Sequence, residues 1–427
     1  MKENTTLKDM AEHLRMIRRV VWNSNLVRIL RLILLHLYQL GVKLVQCLVR
    51  YRLPDLRQGA GRVADLGVIL KDRKIDRILV ITSTGLVEKG LIQPALDSMK
   101  AAELDFHVEA IPHKNPTEED VQNCVNAYKD RHREALVAIG GQSRIDCAKV
   151  TAARIARPGL PLDQMVGFRT VCRKVPPIVA VPTSPGSGAE ASDEAVFTGL
   201  RDGQKRIIRD RSLMPQCAIL DPKLMERAPA TSIAQAGMVA ICHVVEGWLN
   251  RRYCTRIEKS MAVEAIRRLK KSLVRACKDP TDMDAMLDVQ YAGVLGARIA
   301  NRCGHGYTDA LAHAIEKFYG VPHGTAVAVI LPNVLRKYEG KGRKRLGELA
   351  AACDFCTTVS EDAGLFLPRW IEMIRVDMEM KTKFKDLRDS DFQEIVRMTM
   401  RELLPWYPVP EIWDWETFHG LLQSLQE

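Results

Sequence analysis

A glycine pair set between an apolar strand and a helix is the first place where chemistry can be read in this chain. Ala135-Leu136-Val137-Ala138-Ile139 is an unbroken apolar run, the pattern of a buried strand, and it passes directly into Gly140-Gly141-Gln142-Ser143. A helix follows from Arg144 to about Ala156. Glycine lets the backbone approach an anion closely, and the unpaired N–H groups and positive dipole end of the helix hold its charge. The next strand, Ile178 to Val181, ends in Pro182-Thr183-Ser184-Pro185-Gly186-Ser187-Gly188-Ala189-Glu190, a segment dense in glycine and hydroxyls. Ligands of an open parallel sheet sit outside the carboxyl ends of its strands, and both segments lie there. The chemistry is that of an anion cradle for a pyrophosphate. Its candidate contacts are Gly140, Gly141, Gln142, Ser143, Thr183, Ser184 and Ser187. Taken alone, a Gly-Gly turn after a strand also reads as an ordinary turn.

These segments need a sheet to position them. Arg77 to Thr82 and Phe106 to Ile111 read as two further strands. A helix from about Leu91 to Ala102 separates them. Asn115-Pro116-Thr117 opens a turn, and Glu118-Glu119-Asp120 places acid at the start of the next helix, where the dipole favours it. Alternating strands and helices predict a parallel sheet with crossover connections. Past Asp221-Pro222 the period becomes helical almost throughout: Ala234–Asn250, Ile257–Ala276, Met283–Asn301, Thr308–Tyr319, and more from Leu346 onward. The expected fold class is therefore α/β plus all-α. A parallel-sheet nucleotide-binding domain over 54–225 precedes a helical domain over 226–427, with a helical extension over 1–53.

Composition narrows the partners. Of 427 residues, 47% are hydrophobic and 27% charged, which excludes a disordered chain. The net charge is +11, but residues 1–53 hold ten Lys/Arg against three acids. That segment accounts for +7 and leaves +4 for the rest, so no nucleic-acid partner is expected. The helix Arg251–Arg275 is rich in Lys and Arg, but Glu258 and Glu264 interrupt it and no aromatic platform accompanies it, so it reads as a solvated face. From Leu26 to Val49 the chain is apolar, yet its longest charge-free stretch, Leu32 to Val42, has 11 residues. A spanning helix needs about 20. Two readings stand: peripheral contact of residues 20–53 with an anionic membrane surface, or packing on the body or a partner subunit. Eleven scattered cysteines, with Cys353 and Cys356 as a lone C-x-x-C, are expected to be free thiols in a cytoplasmic protein.

The motifs over roughly residues 55 to 420 resemble the iron-containing alcohol dehydrogenase family. Its Gly-Gly-Gly-Ser-x-x-Asp-x-x-Lys turn looks like Gly140 to Lys149, and its Pro-Thr-Thr-x-Gly-Thr-Gly-Ser-Glu segment like residues 182–190. Its Asp-Pro pair matches Asp221-Pro222. Its Gly-Met-Asp-x-x-x-His helix looks like Gly237 to His243, and its Tyr-Gly-x-Pro-His-Gly like Tyr319 to Gly324.

The resemblance implies a dinucleotide domain followed by a helical metal domain, and two partners: a small alcohol or aldehyde substrate and a second copy in a homodimer. It implies NAD or NADP, bound also through Ser83, Asn115, Asp146 and Lys205. Ser83 stands where the family often has an Asp for the ribose 2′-hydroxyl, which makes NADP an option. Gln142 replaces the middle of three glycines facing the pyrophosphate. The family's metal ligands are one Asp and three His. Here the Asp position is Val239, His243 is retained, one His position is Asp309, and His323 is retained. Two imidazoles and one carboxylate remain, a competent set for Fe²⁺ or Zn²⁺. His313 matches a neighbouring family histidine and is the expected proton relay for hydride transfer. Two other readings are a non-catalytic relative serving as a nucleotide-binding or membrane-associated partner protein, and a cyclase like dehydroquinate synthase.

Overall fold

A computed structural model of the chain describes residues 25–48, 53–113, 115–200, 205–250, 252–403 and 407–427, with the backbone alone at 25–32 and 45–48. Residues 20–24 and 49–52 of the expected membrane-contact segment, and Arg251 of the basic helix, lie outside these.

Six strands form a parallel sheet: β1 (Asp55–Gln58), β2 (Arg77–Ser83), β3 (Asp105–Ile111), β4 (Ala135–Gly140), β6 (Ile178–Pro182) and β9 (Cys217–Leu220), in the order β1-β9-β6-β4-β2-β3. The central strands are apolar without interruption because both faces are covered. Ile78, Val80, Val137, Ile139, Val179 and Val181 enter one hydrophobic cluster, while their neighbours Leu79, Ile81, Leu136, Ala138, Ile178 and Ala180 enter another on the opposite face. Strand order reverses between β2 and β4. The chain leaves β2 for β3 on one side, then returns to β4 and works outward through β6 to β9. The crevice at that reversal opens above Ser83 and Gly140, the last residues of β2 and β4.

A second, three-stranded sheet, which the hydrophobic pattern does not reveal, comprises β5 (Gly167–Phe168), β7 (Glu194–Thr198) and β8 (Lys205–Arg209), with β7 and β8 antiparallel. The residues of β1, Asp-Leu-Arg-Gln, carry no strand pattern either, being mostly exposed at the sheet edge.

The helices are α1 (Asn25–Leu48), α2 (Leu66–Asp72), α3 (Thr84–Glu88), α4 (Gln93–Ala101), α5 (Glu118–Asp130), α6 (Gln142–Ala156), α7 (Ala230–Leu249), α8 (Arg256–Lys278), α9 (Met283–Cys303), α10 (Tyr307–Tyr319), α11 (His323–Lys337), α12 (Gly340–Ala352), α13 (Phe366–Asp377), α14 (Phe392–Leu403) and α15 (Trp415–Leu425). From α7 onward no strand of the two sheets intervenes among the described residues. The Asp221-Pro222 pair marks the passage between the halves. The buried Asp221 carboxylate accepts from the N–H groups of Gly61 (2.9 Å), Val63 (3.0 Å) and Lys223 (3.0 Å), tying the start of the helical half back to the loop after β1.

The basic face of α8 is laced with ion pairs: Arg268 with Glu264 and Asp288, Arg275 with Asp282, and Arg267 with Asp354. The long helix α1 lies on the helical half by one side only. Gln39 Nε2 donates to the Tyr407 carbonyl (3.3 Å), Tyr253 Oη donates to the Gln39 carbonyl (3.4 Å), and Val42 packs against the core. Its other side presents Ile33, Leu34, Leu37, Leu40 and Leu44 to solvent, each 49–65% exposed.

Candidate active site between the two halves

The glycine turn and the hydroxyl-rich segment meet above the sheet. Gly140 pairs with Pro182 across β4 and β6, and the Thr183 N–H donates to the Gly140 carbonyl (3.1 Å). A Cβ on Gly141 would lie 3.2 Å from Ser184 Oγ, so a side chain there would fill the approach between the two segments. Gly141 is the N-cap of α6 and contributes no side-chain cap; the Arg144 N–H turns back to the Gly141 carbonyl (2.9 Å), which leaves those of Gln142 and Ser143 without an intrahelical partner at the positive end of a 15-residue helix. Ser187 Oγ is buried with no hydrogen-bond partner among the described residues. A backbone cradle, uncapped amides and an orphaned hydroxyl fit a diphosphate.

Gln142 is exposed, and its amide bonds the Asp146 carboxyl one turn along α6, so it does not cover the glycine pair. Asp146 itself is buried beneath the cradle rather than lining it. Burial pushes its pKa up to about 7 against the opposing pull of Lys149. The fully buried Lys149 ammonium donates to the carbonyls of Ala189 (2.7 Å), Ser192 (2.8 Å) and Glu194 (2.9 Å). Lys149 therefore holds the 189–194 stretch onto α6, while Asp146 accepts from the Val196 N–H and the Gln142 side chain. Ser143 is half-buried in the first turn of α6.

Ser83 ends β2 and caps α3, accepting from the Leu86 N–H (3.4 Å). Asn115 is exposed beyond the end of β3. Lys205 is not a free cation over the crevice: its ammonium lies 2.6 Å from Glu316 Oε1 on α10, across the two halves.

The second cluster lies on the helical side. His243 projects from α7, Asp309 and His313 from successive turns of α10, and His323 opens α11. Asp309 is buried at the centre. Its Oδ1 lies 3.2 Å from His323 Nε2 and 3.8 Å from His243 Nε2, and its Oδ2 lies 2.9 Å from His305 Nδ1 and 4.0 Å from His313 Nε2. The donor atoms fall into two overlapping trios, each within 4.8 Å: His243, His305 and Asp309, and Asp309, His313 and His323. The expected trio of His243, Asp309 and His323 is thus divided between two groups that share the carboxylate. Val239, at the family's acid position, packs against the hydrophobic core.

Neither Asp309 oxygen finds a correctly directed hydrogen bond among the described residues, and neither does His305 Nδ1, short though its 2.9 Å distance to Oδ2 is; His323 Nδ1 is also unpartnered there. A buried carboxylate without hydrogen bonds is costly. Burial raises the Asp309 pKa, but the charges of His305 and His313 outweigh this and hold it well below the usual carboxylate range. In turn burial pushes the imidazoles down while Asp309 pulls two of them up, His305 to about 9 and His313 to about 10. Burial wins at His243, whose pKa is lowered. Protons on His305 and His313 balance the carboxylate here, and a divalent cation would do so by coordination. Orphaned donors of this chemistry fit Fe²⁺ or Zn²⁺.

Several partners in this arrangement come from outside the motif spacings. Glu246 accepts from the N–H groups of Gly306 (2.7 Å) and Thr308 (2.6 Å) at the start of α10, and Asn250 Nδ2 donates to the carbonyls of Cys303 (3.0 Å) and His305 (2.8 Å). Gly304, at φ 78°, lies against the Tyr407 ring, which a Cβ would overlap. Tyr407 also meets the His305 ring edge-on at 5.7 Å. His313 Nδ1 lies 2.8 Å from Glu402 Oε1 on α14. The one signal for His305 in the sequence is its place four residues before Asp309. Glu402, 89 residues from His313, carried none.

A parallel-sheet anion cradle facing a carboxylate–imidazole cluster on a helical half defines a two-domain, dinucleotide- and metal-binding oxidoreductase. Residues 54–222 match the family described as iron-containing alcohol dehydrogenase, and residues 233–409 match the C-terminal domain of the Fe-containing alcohol dehydrogenase family. The chain belongs to the iron-containing alcohol dehydrogenase family. It is 27% identical over 334 residues to 1,3-propanediol dehydrogenase of Citrobacter freundii, spanning 76% of this chain and 85% of that protein. The crystal structure of a 1,3-propanediol oxidoreductase superposes with a TM-score of 0.82 at 24% identity, over 88% of this chain and 99% of that one. Sulfoacetaldehyde reductase from Bifidobacterium kashiwanohense, solved in complex with NAD⁺, superposes with a TM-score of 0.77 at 25% identity, over 88% and 98%.

Proposed function

We propose that the chain interconverts a small primary alcohol and its aldehyde by metal-dependent, nicotinamide-linked hydride transfer. The observation that carries this reading is the buried Asp309 carboxylate, without a hydrogen bond and ringed by imidazoles, on the helical side of an anion cradle. Asp309, His243 and His323 would hold Fe²⁺ or Zn²⁺, which supplies Lewis-acid polarisation of the substrate oxygen, while NADH or NADPH supplies the hydride. The N-terminus of α6, Gly140, Gly141 and the hydroxyls of Thr183, Ser184 and Ser187 hold the diphosphate. Ser83 sets no negative charge against a ribose 2′-phosphate, so NADPH is accepted beside NADH. His313 moves the proton: with Nδ1 bound to Glu402, Nε2 is the atom left to serve the substrate hydroxyl, and the half-exposed Glu402 connects the ring to solvent. The test is turnover of short aldehydes by the full chain loaded with Fe²⁺ or Zn²⁺, followed by loss of reduced-nicotinamide absorbance. Absence of turnover with both ions and both nucleotides would refute it.

We further infer that α1 rests on an anionic lipid surface on the cytoplasmic side. Its exposed Ile33, Leu34, Leu37, Leu40 and Leu44 face away from the core, and residues 1–53 carry a surplus of +7. The ten described cysteines are all free thiols, which suits a reducing compartment.

A further inference from the structure

Strands β7 and β8 present one face across the cleft to the helical half. Antiparallel pairing sets Glu194 beside Arg209, Val196 beside Ile207 and Thr198 beside Lys205. Ala195, Phe197 and Ile208 are buried in the α/β core, so those six side chains share the opposite face. That face is tied to the helical half at both ends. Arg209 Nη2 donates to the Asn301 carbonyl on α9, and the Lys205 ammonium lies 2.6 Å from Glu316 on α10. The chain between Asn301 and Glu316 contains His305, Asp309 and His313, so the cluster lies on the stretch that this face is tied across.

Glu194 stands at the Arg209 end. Its carboxylate lies 3.2 Å from Arg209 Nη1, and Asp193 lies 3.5 Å from Arg209 Nε. Two carboxylates thus share one guanidinium that also holds a carbonyl. Glu194 is the most exposed of the three side chains, 26% against 17% for Arg209 and 3% for Asp193, so the carboxylate is the group offered to the cleft. Burial pushes its pKa up, but the charges of Arg209, His305 and His243 outweigh this and lower it, so it stands ionised within the field of the cluster. Its backbone is fixed on both sides: the Glu194 N–H donates to Ser192 Oγ (3.0 Å), and its carbonyl accepts from Lys149 (2.9 Å).

We propose that Glu194 sets the class of substrate: a short primary alcohol whose far end carries an ammonium group is drawn to this carboxylate, and one ending in a carboxylate or sulfonate is repelled. The proposal rests on the hydride-transfer reading above and adds the charge of the substrate to it. Water screens a half-buried charge less than a surface one, so a like charge brought up to it is strongly disfavoured.

The test uses the full chain loaded with Fe²⁺ or Zn²⁺ and supplied with NAD⁺ or NADP⁺. It compares kcat/KM for three alcohols of matched length: 4-amino-1-butanol, 1,4-butanediol and 4-hydroxybutanoate. The amino alcohol should exceed the hydroxy acid by at least about tenfold. Glu194→Gln keeps the size of the side chain and both backbone contacts, neither of which uses the carboxylate. It should shrink that ratio by at least about fivefold, chiefly through KM. A Glu194 with a merely structural role would lower all three alcohols alike and leave the ratio unchanged, and that result overturns the proposal. The wild-type comparison overturns it independently of any variant: oxidation of the diol with equal use of the two charged alcohols, or with preference for the hydroxy acid, leaves the hydride-transfer reading in place and removes Glu194 from substrate choice. Oxidation of none of the three, with either ion and either nucleotide, overturns both.

Discussion

His313 and Glu402 form a half-buried pair, with Nδ1 and Oε1 2.8 Å apart and the other ring nitrogen 4.0 Å from Asp309. The carboxylate fixes which nitrogen faces the cluster, as a partner on the far side of an imidazole does generally. General acid–base groups contribute roughly 10²–10⁴-fold to rate. His313→Asn should therefore lower kcat about 100-fold or more. Glu402→Gln, which leaves the ring in place but weakens its orientation, should cost about tenfold. Both should keep their metal. Steady-state kinetics alongside elemental analysis checks this, and a His313→Asn enzyme with wild-type kcat would remove His313 from the proton path.

Ser83 offers a separable test of nucleotide choice. Its hydroxyl caps α3, and aspartate is an equally good cap, so Ser83→Asp should fold normally. The new charge would repel a 2′-phosphate and accept from a 2′-hydroxyl. NADPH binding is expected to weaken at least about tenfold, with NADH binding unchanged or tighter. Fluorescence titration of both nucleotides decides it; equal loss of both would place Ser83 away from the ribose.

Gly188 locks the hydroxyl-rich segment to the helical half. It adopts φ 70°, and a Cβ there would lie 2.5 Å from the Gly293 carbonyl oxygen and overlap Ala297 on α9. Left-handed backbone and overpacking each cost on the order of 1–3 kcal/mol, so Gly188→Ala should destabilise the fold by about 2–4 kcal/mol. Because the same segment carries Ser184 and Ser187, nucleotide affinity should fall with it. Urea denaturation showing a loss below about 0.5 kcal/mol would mean the two halves are packed more loosely than the structure indicates.

How much of this was legible depended on burial and on distance along the chain. The strands β2, β4 and β6 were readable because both faces are covered and the apolar runs are continuous. The edge strand β1 and the pair β7 and β8 were not, because most of their positions are not buried and break the apolar run. The site divides in the same way. His243, Asp309, His313 and His323 stand within recognisable spacings. Glu402, Glu246 and Tyr407 reach the cluster only through tertiary packing. Lys149 shows the limit from the other side: its motif is readable, but only the folded chain shows its ammonium bonding the carbonyls of Ala189, Ser192 and Glu194.

The orientation of α1 leads to the last prediction. An amphipathic helix that packs on its own protein normally turns its apolar face inward. Here Gln39 meets the body while five large aliphatic residues look out, an arrangement that leaves an apolar strip exposed unless something covers it. The charge-free run is too short to cross a bilayer, so the helix would lie flat, with the apolar strip in the acyl boundary and the surplus of +7 drawn to anionic headgroups. The full chain should therefore sediment with vesicles containing phosphatidylserine, bind purely zwitterionic vesicles weakly, and be released as salt rises. Leu37→Asp together with Leu44→Asp should abolish sedimentation while leaving alcohol oxidation intact, because both side chains face away from the body, while Gln39 makes the helix's contact with Tyr407. A protein that ignores anionic vesicles, but whose Leu37→Asp, Leu44→Asp variant falls from dimer to monomer in solution, would show that the strip is covered by a second copy of the chain and not by lipid.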